Sequence, residues 1–415
     1  MSTTEPAKID FLSETFFANP YPTYAWLREH EPVFWSEQLQ AWFVTRHEDV
    51  IAILRDSKRF SNAGRQLEML EHLPPSAQAG LCPMKEEFRN AGIFNADPPE
   101  HTRLRQLLSK AFAPQNIERL RPRIVALTNE LLDAHLPNGQ MDIVRDLATP
   151  MPLHVFCEMM GVPLADRDRF VPWSQAVTRF LVTPQLTVEI ALQGQEAVLQ
   201  FKEYFRGLLA ERKKNPQQDI LTALAEAEEM GDRFTEQEIL STARNLMLAG
   251  QNTTSYLIGN AVYLLLTHPD QMQKLLANPA LVPAAVEETL RHSGTVHGLK
   301  RLATQDVTLR GKTIRKGQAV VLSFGSANHD ISVFERADEF DITRPIGSRH
   351  IAFGYGIHFC IGMPLAMMEV PIVLEIVLSR LRNLQLADAS KTRWVPNIIE
   401  RGLTALPVTF TASRS

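Results

Sequence analysis

The stretch Phe353-Gly-Tyr-Gly-Ile-His-Phe-Cys360-Ile-Gly362 decides how the rest of this chain is read. Glycines bracket a single cysteine. Glycine reaches backbone angles closed to other residues and lets the main chain approach a bound group closely. Such a loop can aim amide N–H groups at a sulfur. It runs into an apolar helical pattern with Pro364 in the first turn, a position that suits a helix start. A cysteine at a helix N-terminus has its thiolate favoured by the helix dipole. Two plainer readings stand beside this one. Cys360 can be a free thiol packed beside a glycine turn. His350, His358 and Cys360 can be zinc ligands, although a fourth ligand and the usual paired spacing are missing.

Upstream, Thr235-x-x-Glu238 reads as a capping box. It predicts a helix running to about Leu266, roughly 45 Å long at 1.5 Å per residue and long enough to cross a domain. Inside it lies Leu248-Ala-Gly-Gln-Asn-Thr-Thr254, a poor run for a helix interior. Thr253 can donate to the carbonyl of Ala249 four residues back. Ala249 and Gly250 leave space, either for a small ligand or for ordinary close helix packing.

Other helical patterns cover Tyr21–His30, His47–Arg55, His101–Phe112, Ile117–Leu136, Glu189–Lys213 and Gln218–Met230. Strands are expected at Val33–Trp35 and Ala41–Thr45, as a hairpin, and at Val307–Ile314, Gln318–Ser323 and Gly402–Ala412. Residues 61–96 read as a long, weakly periodic loop, a kind of segment that is usually functional or mobile. The fold class is therefore mainly α with a smaller β region (α+β), with a long central helix and a sheet drawn from both ends of the chain. No linker-like stretch divides the chain, so residues 1–415 are read as a single large domain.

Of the 415 residues, 45% are hydrophobic and 22% charged, with a formal net charge of −4. That is ordinary globular composition. No basic tract points to nucleic acid. The first ten residues lack a leader's apolar core, and no later run is long and apolar enough for a membrane anchor. The three cysteines are far apart and odd in number, which fits a reducing, cytoplasmic setting.

The glycine–cysteine loop resembles the Phe-x-x-Gly-x-x-x-Cys-x-Gly haem-binding loop of the cytochrome P450 family and fills each of its positions. Further family-like segments follow in order from about Asn19 to Phe410. The resemblance implies haem b held by Phe353, Gly354, Cys360 and Gly362, with Cys360 as the iron ligand. His358 occupies a place often held by His or Arg. Asp97-Pro-Pro-Glu-His101-Thr-Arg-Leu-Arg105 is similar to the helix whose His and Arg bind haem propionates, and Arg301 and His350 look like the other propionate partners. Ala285-Val-Glu-Glu-Thr-Leu-Arg-His292 resembles the helix in which Glu288 and Arg291 form a structural ion-pair network, here with Arg344.

Leu248–Thr254 resembles the oxygen-activation motif Ala-Gly-x-[Asp/Glu]-Thr-Thr, which implies roles for Ala249, Gly250, Asn252 and Thr253. Asn252 departs from the pattern, because an amide cannot ionise near neutral pH. Proton supply is then slower, or uses another relay through Thr253, water or a substrate group. Met367 and His329 also stand where the family usually has Arg, and Met367 lies toward the redox-partner face.

The resemblance further implies a monooxygenase that inserts one oxygen atom of O2 into a hydrophobic small molecule, by hydroxylation or epoxidation, with the flavour of polyketide-type tailoring. Its pocket is expected from Phe94, Phe180, Leu181, Met247, Val296, His297 and Leu403, with His297 or Arg401 anchoring a polar group or serving structure. With no nucleotide-binding motif in the chain, electrons would come from a separate ferredoxin and ferredoxin reductase. A basic face at Arg103, Lys110, Arg119 and Arg121 would meet the ferredoxin. The protein is expected to be monomeric. Two rivals remain at this level: a peroxide-driven or C–C-coupling haem-thiolate enzyme, and a haem-based gas or ligand binder without turnover.

Overall fold

Thr235 and Glu238 make the reciprocal cap that their spacing predicts. In the computed structural model, the Thr235 amide donates to Glu238 Oε2 at 2.7 Å and the Glu238 amide donates to Thr235 Oγ1 at 3.3 Å. The structure describes residues 9–89, 92–183, 185–229, 231–345 and 349–412. Residues 1–8, which hold most of the N-terminal stretch read above, Ser348 and the last three residues lie outside that set, as does Met230.

The capped helix, Glu236–Thr267, has 32 residues and is about 48 Å long. Helices Pro150–Met159, Val188–Lys214, Val282–Ser293 and Met363–Arg380 pack against it, and the largest hydrophobic cluster surrounds it. The last of these helices starts just after Cys360, with Gly362 at its N-cap and proline in its first turn. This puts the cysteine loop and the middle of the central helix on facing sides of the molecule's interior.

The main sheet has five strands in the order Val33–Ser36, Ala41–Val44, Ala319–Ser323, Gly298–Ala303, Phe60–Ser61. The first pair is the expected antiparallel hairpin, Val33 facing Val44 and Ser36 facing Ala41. Ala41–Val44 runs parallel to Ala319–Ser323. Strand Gly298–Ala303, which the sequence did not announce, carries Leu299 and Arg301 on one face, two residues apart as strand geometry requires. The chain's tail does not join this sheet: Pro407–Ala412 pairs with Leu381–Leu386 and Gln140–Asp142.

Four expectations need correction. Residues 61–96 are not a loop; they hold helices Arg65–Glu71, Pro75–Gln78 and Cys82–Arg89 and a 3-10 turn Gly92–Asn95. These are too short for a clear period, and Leu70, Leu81, Met84 and Phe88 bury one face of them. The helix expected over 117–136 is two, Pro114–Glu118 and Arg121–Asp133, because Pro122 begins a new helix. The helix expected over 218–230 covers only Ile220–Glu226, capped by Asp219. Val307–Leu309 and Lys312–Ile314 form a separate small hairpin, turned at Arg310-Gly311.

Candidate active site

One cavity, of about 360 Å3, lies between the central helix and the cysteine loop. That is within the usual range for a small-molecule site. The helix contributes Leu246, Ala249, Gly250, Thr253, Thr254 and Leu257. Their spacing of three and four marks a single helical face. Thr253 Oγ1 donates to Ala249 O at 2.7 Å, as its position predicts. The side-chain space at Gly250 is not open: a Cβ there would stand 1.8 Å from the ring of Phe156. Gly250 therefore serves close packing of two helices, and Phe156 itself lines the cavity. Asn252 lies off this face and donates to Thr178 Oγ1 at 3.1 Å.

On the opposite wall, the loop is folded so that Cys360 faces the cavity. The Cys360 amide donates to Phe353 O at 2.9 Å, and the Phe359 amide to Gly356 O at 3.0 Å. Gly354 and Gly356 sit at φ +75° and +73°, where side chains are strained. At Gly356 a Cβ would also lie 2.8 Å from Leu54 O. The amides of Gly362 and Met363 hydrogen-bond to the cysteine sulfur. Burial pushes the thiol up from its ordinary value, and the Gly362 amide, Arg105 and the Met363 amide oppose this only in part. The sulfur is open to the cavity but enclosed by protein. A coordinated metal removes a thiol proton outright.

One end of the cavity gathers His101, Arg105, Arg301, His358 and Arg65. The imidazoles of His101 and His358 lie 4.1 Å apart. Both ring nitrogens of His101, and Nε2 of His358, are buried with no partner. Among the described residues Arg301 donates only to the neighbouring carbonyl of Lys300, at 3.0 Å. Arg65 donates to the carbonyls of Asn62 and Lys300 at 3.0 and 3.4 Å. Burial lowers all of these groups, with Arg301 pushed down to about 9, Arg65 to about 10 and His358 to about 2. Buried cations without counter-charges are costly. A sulfur on one wall and orphaned donors at one end fit a flat metal macrocycle bearing two carboxylates, which is what haem b is.

His350 was expected among these donors and is not there. Its Nε2 meets Glu287 Oε2 at 2.6 Å and its Nδ1 accepts from the Ala352 amide at 3.3 Å, so it is already satisfied outside the cavity. His358 stands in the cavity instead. Among the described residues no cluster of His, Cys, Asp and Glu is arranged to hold a metal ion by itself, so the zinc set is not brought together.

The ion-pair network is assembled. Arg291 grips Glu288 with two bonds, Nε to Oε2 at 2.8 Å and Nη2 to Oε1 at 2.7 Å, and both side chains are fully buried. It also donates to the carbonyls of Asn328, Ala337 and Glu339 at 3.0, 2.7 and 2.9 Å. Arg344 Nε adds a bond to Glu288 Oε1 at 3.2 Å.

Of the expected pocket residues, Phe94 and Val296 line the cavity. Phe180, Leu181, Met247, His297 and Leu403 do not. Phe180 stacks on Phe88 at 5.5 Å, Leu181 packs on the main core, and Met247 and Leu403 are buried within it. His297 points to the other side of the chain from Val296, with Nδ1 3.4 Å from Tyr24 Oη. Arg401 also turns away, donating to Phe17 O and Ala18 O at 3.0 and 3.2 Å and lying 3.7 Å from the Trp394 ring centre. Glu400, which the sequence reading passed over, does line the cavity. The expected basic face is largely self-neutralised. Arg103 pairs with Glu100, Asp232 and Glu238, Arg121 pairs with Glu118, and Arg119 donates to Gln218. Met367 packs partly buried against the main core.

Known proteins give the same picture. The family model for Cytochrome P450 matches residues 75–393. The chain is 40% identical over 396 residues to the Mycinamicin IV hydroxylase/epoxidase of Micromonospora griseorubida, covering 93% of this chain and 94% of that one. It is 34% identical over 405 residues to the Polyketide biosynthesis cytochrome P450 PksS of Bacillus subtilis, covering 95% and 96%. Among solved structures it resembles P450BioI, crystallised with a hexadec-9Z-enoic acid ligated acyl carrier protein, with a TM-score of 0.87, 35% identity and coverage of 96% and 99%. Among the described residues no helix is long and apolar enough to cross a membrane.

Proposed function

Because this chain belongs to the cytochrome P450 family, whose members are haem-b monooxygenases, we propose that Cys360 is its iron ligand and that it hydroxylates or epoxidises a hydrophobic natural product of polyketide type. The observation that carries this reading is the meeting, in one cavity, of the Cys360 sulfur, the Ala249–Thr254 helix face, the partnerless imidazole nitrogens of His101 and His358 and the guanidinium groups of Arg105 and Arg301. When bound, haem b supplies thiolate-supported oxygen activation.

The residues of the chain do the rest. The Gly362 and Met363 amides hold the sulfur in place and temper its charge. His101, Arg105, Arg301 and His358 bind the two propionates, with charge-assisted hydrogen bonds where the donor is a cation. Thr253 is fixed by its bond to Ala249 O, so its hydroxyl oxygen is free to accept from water and steer protons toward the reacting oxygen. Asn252 has no ionisable proton to pass on, and its amide N–H is held by Thr178, so proton delivery runs through Thr253 and water. Apolar walls such as Phe94, Phe156 and Val296 exclude water and orient the substrate.

The names of two relatives, a mycinamicin IV hydroxylase/epoxidase and a polyketide-biosynthesis enzyme, support the substrate class. Electrons come from a separate ferredoxin and its reductase, and the protein works as a monomer in the cytoplasm. The test is the carbon-monoxide difference spectrum of the reduced protein. The wild type is expected to give the thiolate-type band and Cys360→Ser to lose it; an unchanged spectrum in the variant overturns the assignment.

A further inference from the structure

Among the described residues Glu400 has no ion-pair partner, and it stands in a largely apolar part of the cavity. Its neighbours along the wall are Val296, Ile399 and Thr295. Its Oε2 is shut off from solvent and has no hydrogen-bond partner. The backbone around it is stitched down. His297 N donates to Ile399 O at 2.7 Å, Arg401 N to Thr295 O at 2.9 Å, and Glu400 N to Asn397 Oδ1 at 3.2 Å. Val296 and Glu400 pair as an isolated bridge. The side chain is therefore placed in the cavity by a fixed main chain, and not by a mobile tip.

The nearest candidate for a protein counter-ion faces elsewhere: the Arg401 guanidinium is spent on two carbonyls and the Trp394 ring. Burial alone pushes Glu400 up to about 7, and no cation offsets it, so the five cationic and imidazole groups at the other end of the cavity do not serve it. Tyr256, three residues beyond Thr253 on the central helix, feels the Glu400 charge, and the Gly402 backbone lies against its ring. Glu400 thus lines the cavity close enough to the Tyr256 turn of the central helix for its charge to be felt there. A buried polar group left unsatisfied calls for an explanation; with its pKa raised to about 7 the empty carboxyl is in part protonated at neutral pH, and a bound cation draws it into the charged form.

Taking the monooxygenase reading as its ground, we propose that Glu400 is the anchor for a basic nitrogen, so that the substrate is a hydrophobic molecule carrying a protonated amine. The carboxylate binds the ammonium, the apolar walls take the carbon skeleton, and the distance between them selects which carbon meets Thr253 and the Cys360 side. Neutral hydrophobic molecules of the same shape enter the cavity but gain nothing from Glu400.

The test uses the ferric, haem-loaded protein and optical titration. The probes are octyltrimethylammonium, its neutral tert-butyl isostere and octyl sulfate. A quaternary ammonium has no lone pair and cannot ligate iron, so its spectral shift reports occupancy of the cavity alone. The wild type is expected to bind the cation about tenfold or more tighter than the neutral isostere, in line with a close, partly desolvated charge pair, and to bind the sulfate weakest. Glu400→Gln is expected to abolish the preference while leaving affinity for the neutral probe unchanged, and Glu400→Asp to retain part of it. Equal affinity of the wild type for cation and neutral isostere overturns the proposal, as does a preference that survives in Glu400→Gln. Should that variant not fold, the wild-type comparison of the three probes decides alone. Each preparation is first checked for the thiolate-type carbon-monoxide band; its absence indicts the underlying reading, whereas a normal band with no charge preference indicts the anchor only.

Discussion

Two groups of buried charges behave in opposite ways. Around Glu288 and Arg291 each donor and acceptor is used: a two-bond ion pair, carbonyls at Asn328, Ala337 and Glu339, and a second arginine. At the cavity end His101 and Arg301 are buried and Arg105 and His358 half-buried, and none of the four has an ion-pair partner among the described residues, although the Asp97 charge favours His101 and Arg301. A saturated network holds the scaffold together and has nothing to offer a ligand. An unsaturated one is costly as it stands and becomes favourable only when an anion arrives. Saturation, more than burial, separates structure from binding site in this molecule. Glu369 is a third solution. It is buried with Oε1 unpartnered and pushed up to about 8 by burial, so it stays protonated at neutral pH.

The largest effect is expected from breaking the saturated network. Arg291→Ala takes the two-bond partner from a fully buried Glu288, leaving it only Arg344 Nε and the Asp341 amide, at a cost of about 3–5 kcal/mol. Soluble yield and haem content should collapse together, and Arg291→Lys should rescue little because an ammonium lacks the planar fork. A variant with normal yield and an unchanged urea midpoint would contradict the comparison. Removing an unsaturated cation should act differently. Arg301→Met is expected to speed transfer of haem to apomyoglobin by about tenfold, from one lost charge-assisted bond worth about 1.5–3 kcal/mol, while leaving the haem-free protein as stable as the wild type or more so. Equal losses in both forms would place Arg301 with the scaffold.

The last prediction is a pH dependence at Glu369. Its folded pKa lies above the ordinary carboxylate value, so its contribution to stability is greatest in acid and is lost as pH rises toward about 8. Glu369→Gln, which cannot ionise, should gain in thermal midpoint over the wild type as pH rises from about 5 to about 8, with no further gain above that. A difference that is flat with pH would show that the carboxyl is ionised throughout.

The fold was legible where local chemistry is strong. Thr235 and Glu238 mark the start of the central helix by a reciprocal cap, and the glycines around Cys360 mark a loop that few other residues could build. The short helices between 65 and 89 were not legible, because one or two turns carry too few apolar positions to show a period. The walls of the cavity were harder still. Which face of a helix looks inward depends on its rotation in the packed molecule, so Leu246 lines the cavity and Met247 does not. Strand-like alternation gives the inward place to Val296 and sends His297 toward Tyr24. The same ambiguity hid Glu400 behind Arg401: the two are adjacent and point opposite ways, and nothing in the local sequence says which faces in. His350 and His358 posed the identical choice, settled by Glu287, a residue more than sixty positions earlier in the chain.

The ring of Phe156, resting where Gly250 has no side chain, gives the cavity a dimension that belongs to neither residue alone. The gap beside Ala249 and Thr253 is inherited from the spacing of two helices, with an aromatic ring as the shim between them. A redesign that aims to admit a bulkier molecule would trim the shim at Phe156, since any atom added at 250 wedges the helices apart and disturbs the Thr253 hydroxyl along with them.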